Sequence, residues 1–180
     1  MPYDALHDDA DALLAFWRAP DPAQSRRRSE FVRFLSDHGD ALERSNPHGH
    51  LTASTLVLNA ERSQVLLTLH PKIGRWLQMG GHIEPSDRSL FDAARREAVE
   101  ESGIADLWMH PVPIDLDIHA LDCPKGRANR HLDVRFVAIA PPGAVHRIGD
   151  ESDDLAWFSF DALPPGLDES MMRLMRRAKG

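Results

Sequence analysis

The apolar positions along the chain follow two regimes. From Asp4 to Arg44 they recur at helical spacing, with Leu6, Leu13, Leu14 and Trp17 as one set and Phe31, Phe34, Leu35 and Leu42 as a second. Pro20 and Pro22 separate the sets, so the pattern predicts two helices. Asn46-Pro47-His48-Gly49 is turn chemistry, and beyond it the apolar runs become short and β-rich. Leu51 to Leu58 and Val65 to Leu69 read as strands joined across Asn59 to Gln64, and Arg75 to Met79 as a further strand ended by Gly80-Gly81. Ser89 to Ser102 reads as a helix; Ile114 to Ala120, Leu132 to Ala140 and Leu155 to Phe160 read as strands, and Met171 to Lys179 as a closing helix. This alternation predicts an α+β or α/β sandwich over residues 49–180, preceded by a helical extension over residues 1–48.

Composition narrows the picture. A chain of 180 residues, 42% hydrophobic and 27% charged, has the balance of one globular domain with its own core. The net charge of -7 argues against broad attraction to a nucleic-acid polymer or an anionic lipid surface, so any phosphate handled here needs bound cations. Cys123 is the single cysteine, which rules out an intramolecular disulfide. Met1 to Ala10 carries three aspartates where a secretory signal would carry basic residues, and no apolar run approaches the roughly 20 residues of a membrane span. The expectation is a cytoplasmic protein without a membrane partner.

The chemistry concentrates in Gly80 to Ile104, GGHIEPSDRSLFDAARREAVEESGI. Ser89 followed by Asp92 resembles a capping box, and Gly103 stands where a helix end favours positive φ. At 100° per residue, Glu97, Glu100 and Glu101 fall on one face beside a stripe of Phe91, Ala94 and Ala98. A glutamate-rich helix alone is usually a solvated face. Three carboxylates close to a glycine pair can also hold hard cations such as Mg²⁺ or Mn²⁺ and leave room for water and a phosphate.

The segment resembles the Nudix box, G-x5-E-x7-R-E-U-x-E-E-x-G-U, where U is aliphatic. Arg96-Glu97-Ala98-Val99-Glu100-Glu101-Ser102-Gly103-Ile104 matches its second half, with Ala98 at the first U. The first half departs: Asp87 stands where the motif has Glu, and eight residues instead of seven separate it from Arg96. The resemblance implies a Nudix-type α/β/α sandwich with a mixed sheet, and hydrolysis of a diphosphate linkage in a small nucleoside diphosphate derivative. It implies Glu97, Glu100 and Glu101 as metal ligands, joined by a carbonyl of Gly81 or Gly80, with Asp87 and Arg96 pairing to hold the loop on the helix. The general base varies within the family, and two candidates stand open here: Glu97 and, on a later loop, Glu151.

Trp76 is a candidate for stacking on a base or ribose, with core packing as the alternative. Arg127, with Lys125 and Arg130, is a candidate for a substrate phosphate, or else simply a solvated hairpin tip. His48, His50, His82, His119, His131 and Cys123 lack the spacing of a zinc site, so none is expected. Isopentenyl diphosphate isomerisation on the same fold needs a cysteine ahead of the box, and Cys123 follows it. A non-catalytic module that senses a nucleotide or nucleotide-sugar is the alternative function, disfavoured because all three glutamates are present. The extension is expected to be a packing or homodimerisation element.

Overall fold

Helix α1 (Asp4–Phe16) and helix α2 (Pro22–Asp37) form from the two apolar sets, but α2 stops at Asp37 and leaves Leu42 of the second set in the turns that follow, instead of continuing to Arg44 as the spacing predicts. Asp21 starts α2: its carboxylate accepts from Gln24 N at 2.9 Å, and Pro22 occupies the first turn, where a missing N–H costs nothing. Strands β1 (His50–Leu58) and β2 (Gln64–His70) follow, joined by a turn in which the Asn59 side chain accepts from Ser63 N and Gln64 N. The computed structural model describes residues 3–71, 74–121, 129–149 and 153–179.

The next strand departs from expectation. β3 (Arg75–Leu77) stops before the glycines, which lie inside a separate strand, β4 (Met79–His82). β4 runs antiparallel to β1, with Gly80 opposite Ser54 and Gly81 opposite Ala53. Gly80 has φ 156°, and a Cβ there would fall 2.3 Å from Ser54 Cβ. Glycine therefore permits the pairing instead of ending it.

Helix α3 (Leu90–Ser102) carries the glutamates. A two-residue strand that the pattern did not indicate, β5 (Trp108–Met109), precedes β6 (Asp115–Leu121), β7 (Asn129–Ile139), β8 (Asp154–Ser159) and helix α4 (Glu169–Lys179). The mixed sheet runs β3-β2-β1-β7-β5, with β4 also on β1, β6 on β7 and β8 on β2. β1 and β7 are parallel, and the other pairs are antiparallel. One core cluster joins α1, α2 and α3 to the sheet, through residues such as Leu14, Phe31, Leu90, Ala94 and Phe136. A second joins α4 to Leu56, Leu58, Val65 and Leu67. The architecture is an α+β sandwich with a mixed sheet between helical layers.

The extension reaches both working parts of the molecule. Asp9 accepts from Leu90 N, the first amide of α3, at 2.9 Å, and Gln24 brackets Leu116 by accepting from its N and donating to its O. Under α4 lies a charge network: Arg135 contacts Asp133 (2.8 Å), Asp117 (3.3 Å) and Asp115 (3.6 Å), while Arg173 contacts Asp115 and Asp117. Arg177 joins Asp115 to Asp21 of the extension. Among the described residues no helix is long and apolar enough to cross a membrane.

Candidate active site on helix α3

The site is built by a strand, a turn and a helix. β4 delivers Gly80 and Gly81, the turn that follows includes a bond from Asp87 N to Glu84 O at 3.0 Å, and α3 begins at Leu90. Ser89 accepts from Asp92 N at 3.0 Å and so caps the helix. Asp92 accepts from Arg88. Gly103 closes α3 in the left-handed region at φ 67°.

Two of the three glutamates turn back onto the glycines. Gly80 N–H donates to Glu101 Oε2 at 2.8 Å. A Cβ on Gly81 would lie 2.6 Å from Glu97 Oε1, so only glycine lets that carboxylate lie against the strand. Glu100 stands further out, with 60% of its side chain exposed, against 14% for Glu97.

Arg96 ties these parts together. Its Nε and Nη2 meet the two oxygens of Asp87, each at 3.0 Å, in a two-point pair whose carboxylate is 5% exposed. Nη2 also donates to His82 O at 2.9 Å, and Nη1 donates to Glu97 Oε1 at 2.9 Å and Glu100 Oε2 at 3.2 Å. The Asp87 hydrogen bond, with help from Glu97, overcomes desolvation and holds the Arg96 guanidinium well above its ordinary range. The shorter Asp87 side chain and the added residue are accommodated in the turn, where Asp87 Oδ2 also accepts from Glu84 N at 2.8 Å. Glu84 itself is exposed.

Three carboxylates, those of Asp87, Glu97 and Glu100, thus meet one guanidinium, and that of Glu101 is held on the Gly80 N–H. Asp87 takes two of the guanidinium's donor positions, and the three glutamates keep a surplus of negative charge on a face open to solvent. Hard carboxylate oxygens in surplus are the donor set that suits Mg²⁺ or Mn²⁺.

Trp76 packs edge-on against Phe158 at 4.8 Å in the α4-side cluster, whereas α3 packs into the opposite cluster. Arg127, Lys125, Cys123 and Glu151 fall outside the described residues. The loop after β7 nevertheless runs along α3: Arg147 N donates to Ser102 O at 2.8 Å, and a Cβ on Gly149 would stand 3.8 Å from Glu100 O. Linear spacing missed a group of histidines beside the box, in which His82, next to Gly81, meets His50 and His131. The strand register that joins them was the signal, and periodicity alone does not give it.

Comparison with known proteins agrees with this architecture. No curated protein matches the sequence. In fold the chain is similar to the NUDIX domain of Shewanella oneidensis NrtR complexed with ADP ribose, at TM-score 0.57 and 16% identity over 82% of this chain and 96% of that one. It is similar to a C. elegans Ap4A hydrolase binary complex, at TM-score 0.55 and 16% identity over 71% and 93%. A NUDIX-family hydrolase from Clostridium perfringens gives TM-score 0.52 and 23% identity over 73% and 97%. A model of the NUDIX domain matches residues 48–178, the stretch that holds the mixed sheet, α3 with its carboxylates and α4, and the chain belongs to the Nudix hydrolase superfamily.

Proposed function

We propose that the protein hydrolyses a diphosphate linkage in a nucleoside diphosphate derivative, with Mg²⁺ or Mn²⁺ held by Glu97, Glu100, Glu101 and the Gly81 carbonyl. The observation that carries this reading is the convergence of Glu97 and Glu101 on Gly80-Gly81, with Glu100 exposed beside them. Bound there, divalent cations would neutralise phosphate charge and lower the pKa of a water molecule.

The chain's own residues set up that chemistry. Gly80 N–H fixes Glu101, and Arg96 fixes Glu97 and Glu100 while Asp87 holds Arg96 in place. A side chain at Gly81 would displace Glu97, so the strand admits none. Two carboxylates compete for the role of general base. Glu97 lies within the cluster, and Glu151 follows Gly149, which already stands at Glu100. Arg127 and Trp76 remain the candidates for substrate contact, with Trp76 better suited to packing. The main domain is read as residues 49–180 and the extension as residues 1–48, a cytoplasmic setting is the reading for the whole, and a homodimer through the extension is the oligomeric form to examine.

The structures of similar fold name ADP ribose and Ap4A as molecules handled by those proteins, and both contain nucleoside phosphates joined through anhydride bonds. They therefore head a substrate panel with nucleoside triphosphates, nucleotide-sugars and coenzymes. Product analysis by mass spectrometry, with and without Mg²⁺ or Mn²⁺, is expected to show one class cleaved only with metal. Glu101→Gln is expected to reduce its rate by roughly a hundredfold or more. Metal-independent cleavage, or unchanged cleavage by the variant, contradicts the reading. Stabilisation by a nucleotide without any cleavage would favour a sensing module on the same fold.

A further inference from the structure

Three imidazoles meet beside the box where β1 is flanked by β4 and β7, one from each of the three strands. His50 begins β1, His131 lies opposite it in the parallel pairing with β7, and His82 ends β4 opposite Thr52. Their ring centroids are 4.6, 5.0 and 5.4 Å apart, and one ligand atom of each lies within 4.8 Å of the others. His50 has no exposed surface, and His131 Nε2 is buried without a hydrogen-bond partner.

Core packing explains this arrangement poorly. One fully buried and two half-buried polar rings pack together where apolar side chains would fill the space without the cost of desolvation, and a buried nitrogen without a partner costs about 1–3 kcal/mol. Neutral imidazole is the form that ligates a metal.

We propose that His50, His82 and His131 form a binding site for a transition-metal dication of the Zn²⁺ class, separate from the carboxylate site on α3. Coordination at about 2.0–2.1 Å places nitrogens about 3.3 Å apart, so the rings close in by about an ångström when the ion enters. Imidazole nitrogen suits Zn²⁺, Co²⁺, Ni²⁺ or Cu²⁺, whereas Mg²⁺ prefers the oxygens of the box, and the two sites divide the metals by chemistry. The fourth position is open to water or to His119, which faces His131 across β6 and β7 at 5.4 Å and whose Nδ1 lies 3.4 Å from Asp117. A carboxylate behind an imidazole is the arrangement that orients metal-binding histidines. Of the charges acting on these rings, Asp133 favours a dication and Arg44 opposes it. An ion here would tie β1, β4 and β7 together and fix His82, whose carbonyl is already held by Arg96, so it would brace the Gly80-Gly81 strand from the side opposite the glutamates.

The inference does not depend on hydrolytic activity and is tested without it. The full chain is stripped with a chelator, given excess Mg²⁺, and titrated with Co²⁺ while its visible ligand-field absorption is followed. The expected result is one Co²⁺ per chain with a tetrahedral spectrum, displaced by Zn²⁺ and retained in Glu100→Gln and Glu101→Gln. His131→Gln is expected to weaken binding by more than the roughly 10–100-fold that losing a residue behind the ligands costs. X-ray absorption on the Zn²⁺-loaded parent chain, which needs no variant to fold, is expected to show at least three imidazole nitrogens. Absence of Co²⁺ binding under excess Mg²⁺, a shell of carboxylate oxygens, or loss of the signal in the glutamate variants would overturn the proposal.

Discussion

Two clusters of carboxylates and arginines in this chain differ in one respect that separates structure from chemistry. Under α4, Arg135, Arg173 and Arg177 face Asp115, Asp117 and Asp133, and Arg177 also reaches Asp21. There the charges nearly balance, three guanidiniums against four carboxylates, and Asp115 is fully buried. On α3 a single guanidinium faces Asp87, Glu97 and Glu100, with Glu101 held on the Gly80 N–H and Glu100 largely exposed. A nearly balanced, largely buried network neutralises most of its own charge and holds strands and helices in register. A cluster left with excess charge at the surface is suited to take up cations.

Both clusters lean on the extension, so its removal has the largest expected effect. Residues 1–48 supply Leu6, Leu14, Trp17, Phe31, Phe34, Leu35 and Leu42, all buried in the core that α3 shares. At about 1.5–3 kcal/mol for each buried side chain, their loss matches or exceeds the whole stability of about 5–15 kcal/mol typical of a domain. A chain starting at Gly49 is expected to show no cooperative unfolding transition by circular dichroism. A folded, monomeric truncation would instead mark the extension as separable.

Next comes the network under α4. Arg135→Met removes one guanidinium and leaves Asp133 and Asp117 facing each other without it, at an expected cost of about 3–5 kcal/mol in urea denaturation. The same variant is expected to keep the Mg²⁺ dependence of any hydrolysis, because Arg135 does not touch the box. Equal loss of stability and of metal response would show that the two clusters are not independent.

Acid separates the clusters more gently. Burial pushes Asp117 up, but His119, Arg135 and Arg173 outweigh it and hold its carboxyl well below the ordinary 3.8. The stability it contributes is therefore complete above that ordinary value and is lost only as pH falls further towards its folded pKa. His131 behaves oppositely, since its pKa of about 4 in the fold lies below the ordinary 6.5. The unfolded chain takes up the proton first, and stability falls as pH drops from 6.5 to about 4. Denaturation of the metal-free protein across this window is expected to show that early loss, and His131→Gln is expected to reduce it.

Much of this was legible in the sequence because it is local. The α3 boundaries follow from Ser89 and Gly103, and the carboxylate face follows from helical period alone. The two extension helices follow from the spacing of Leu6, Leu14, Phe31 and Leu35, all of them buried. Features that depend on register were not legible. The glycine pair reads as a strand end until Ser54 is seen opposite Gly80, and the three histidines become neighbours only through the pairing of β1 with β4 and β7. The Asp87–Arg96 pair stands between these cases: the spacing departs from the motif, and the turn at Glu84 supplies the geometry that spacing alone could not.

The measurement that bears most directly on the central claim compares stability and turnover in Glu100→Gln. If the glutamate face is a cation site held in excess negative charge, the substitution is expected to leave the melting temperature in metal-free buffer at or above that of the parent. It is also expected to reduce metal-dependent hydrolysis by roughly a hundredfold or more. A clear fall in melting temperature with turnover intact would contradict that account, since Glu100 would then serve the fold and not the chemistry.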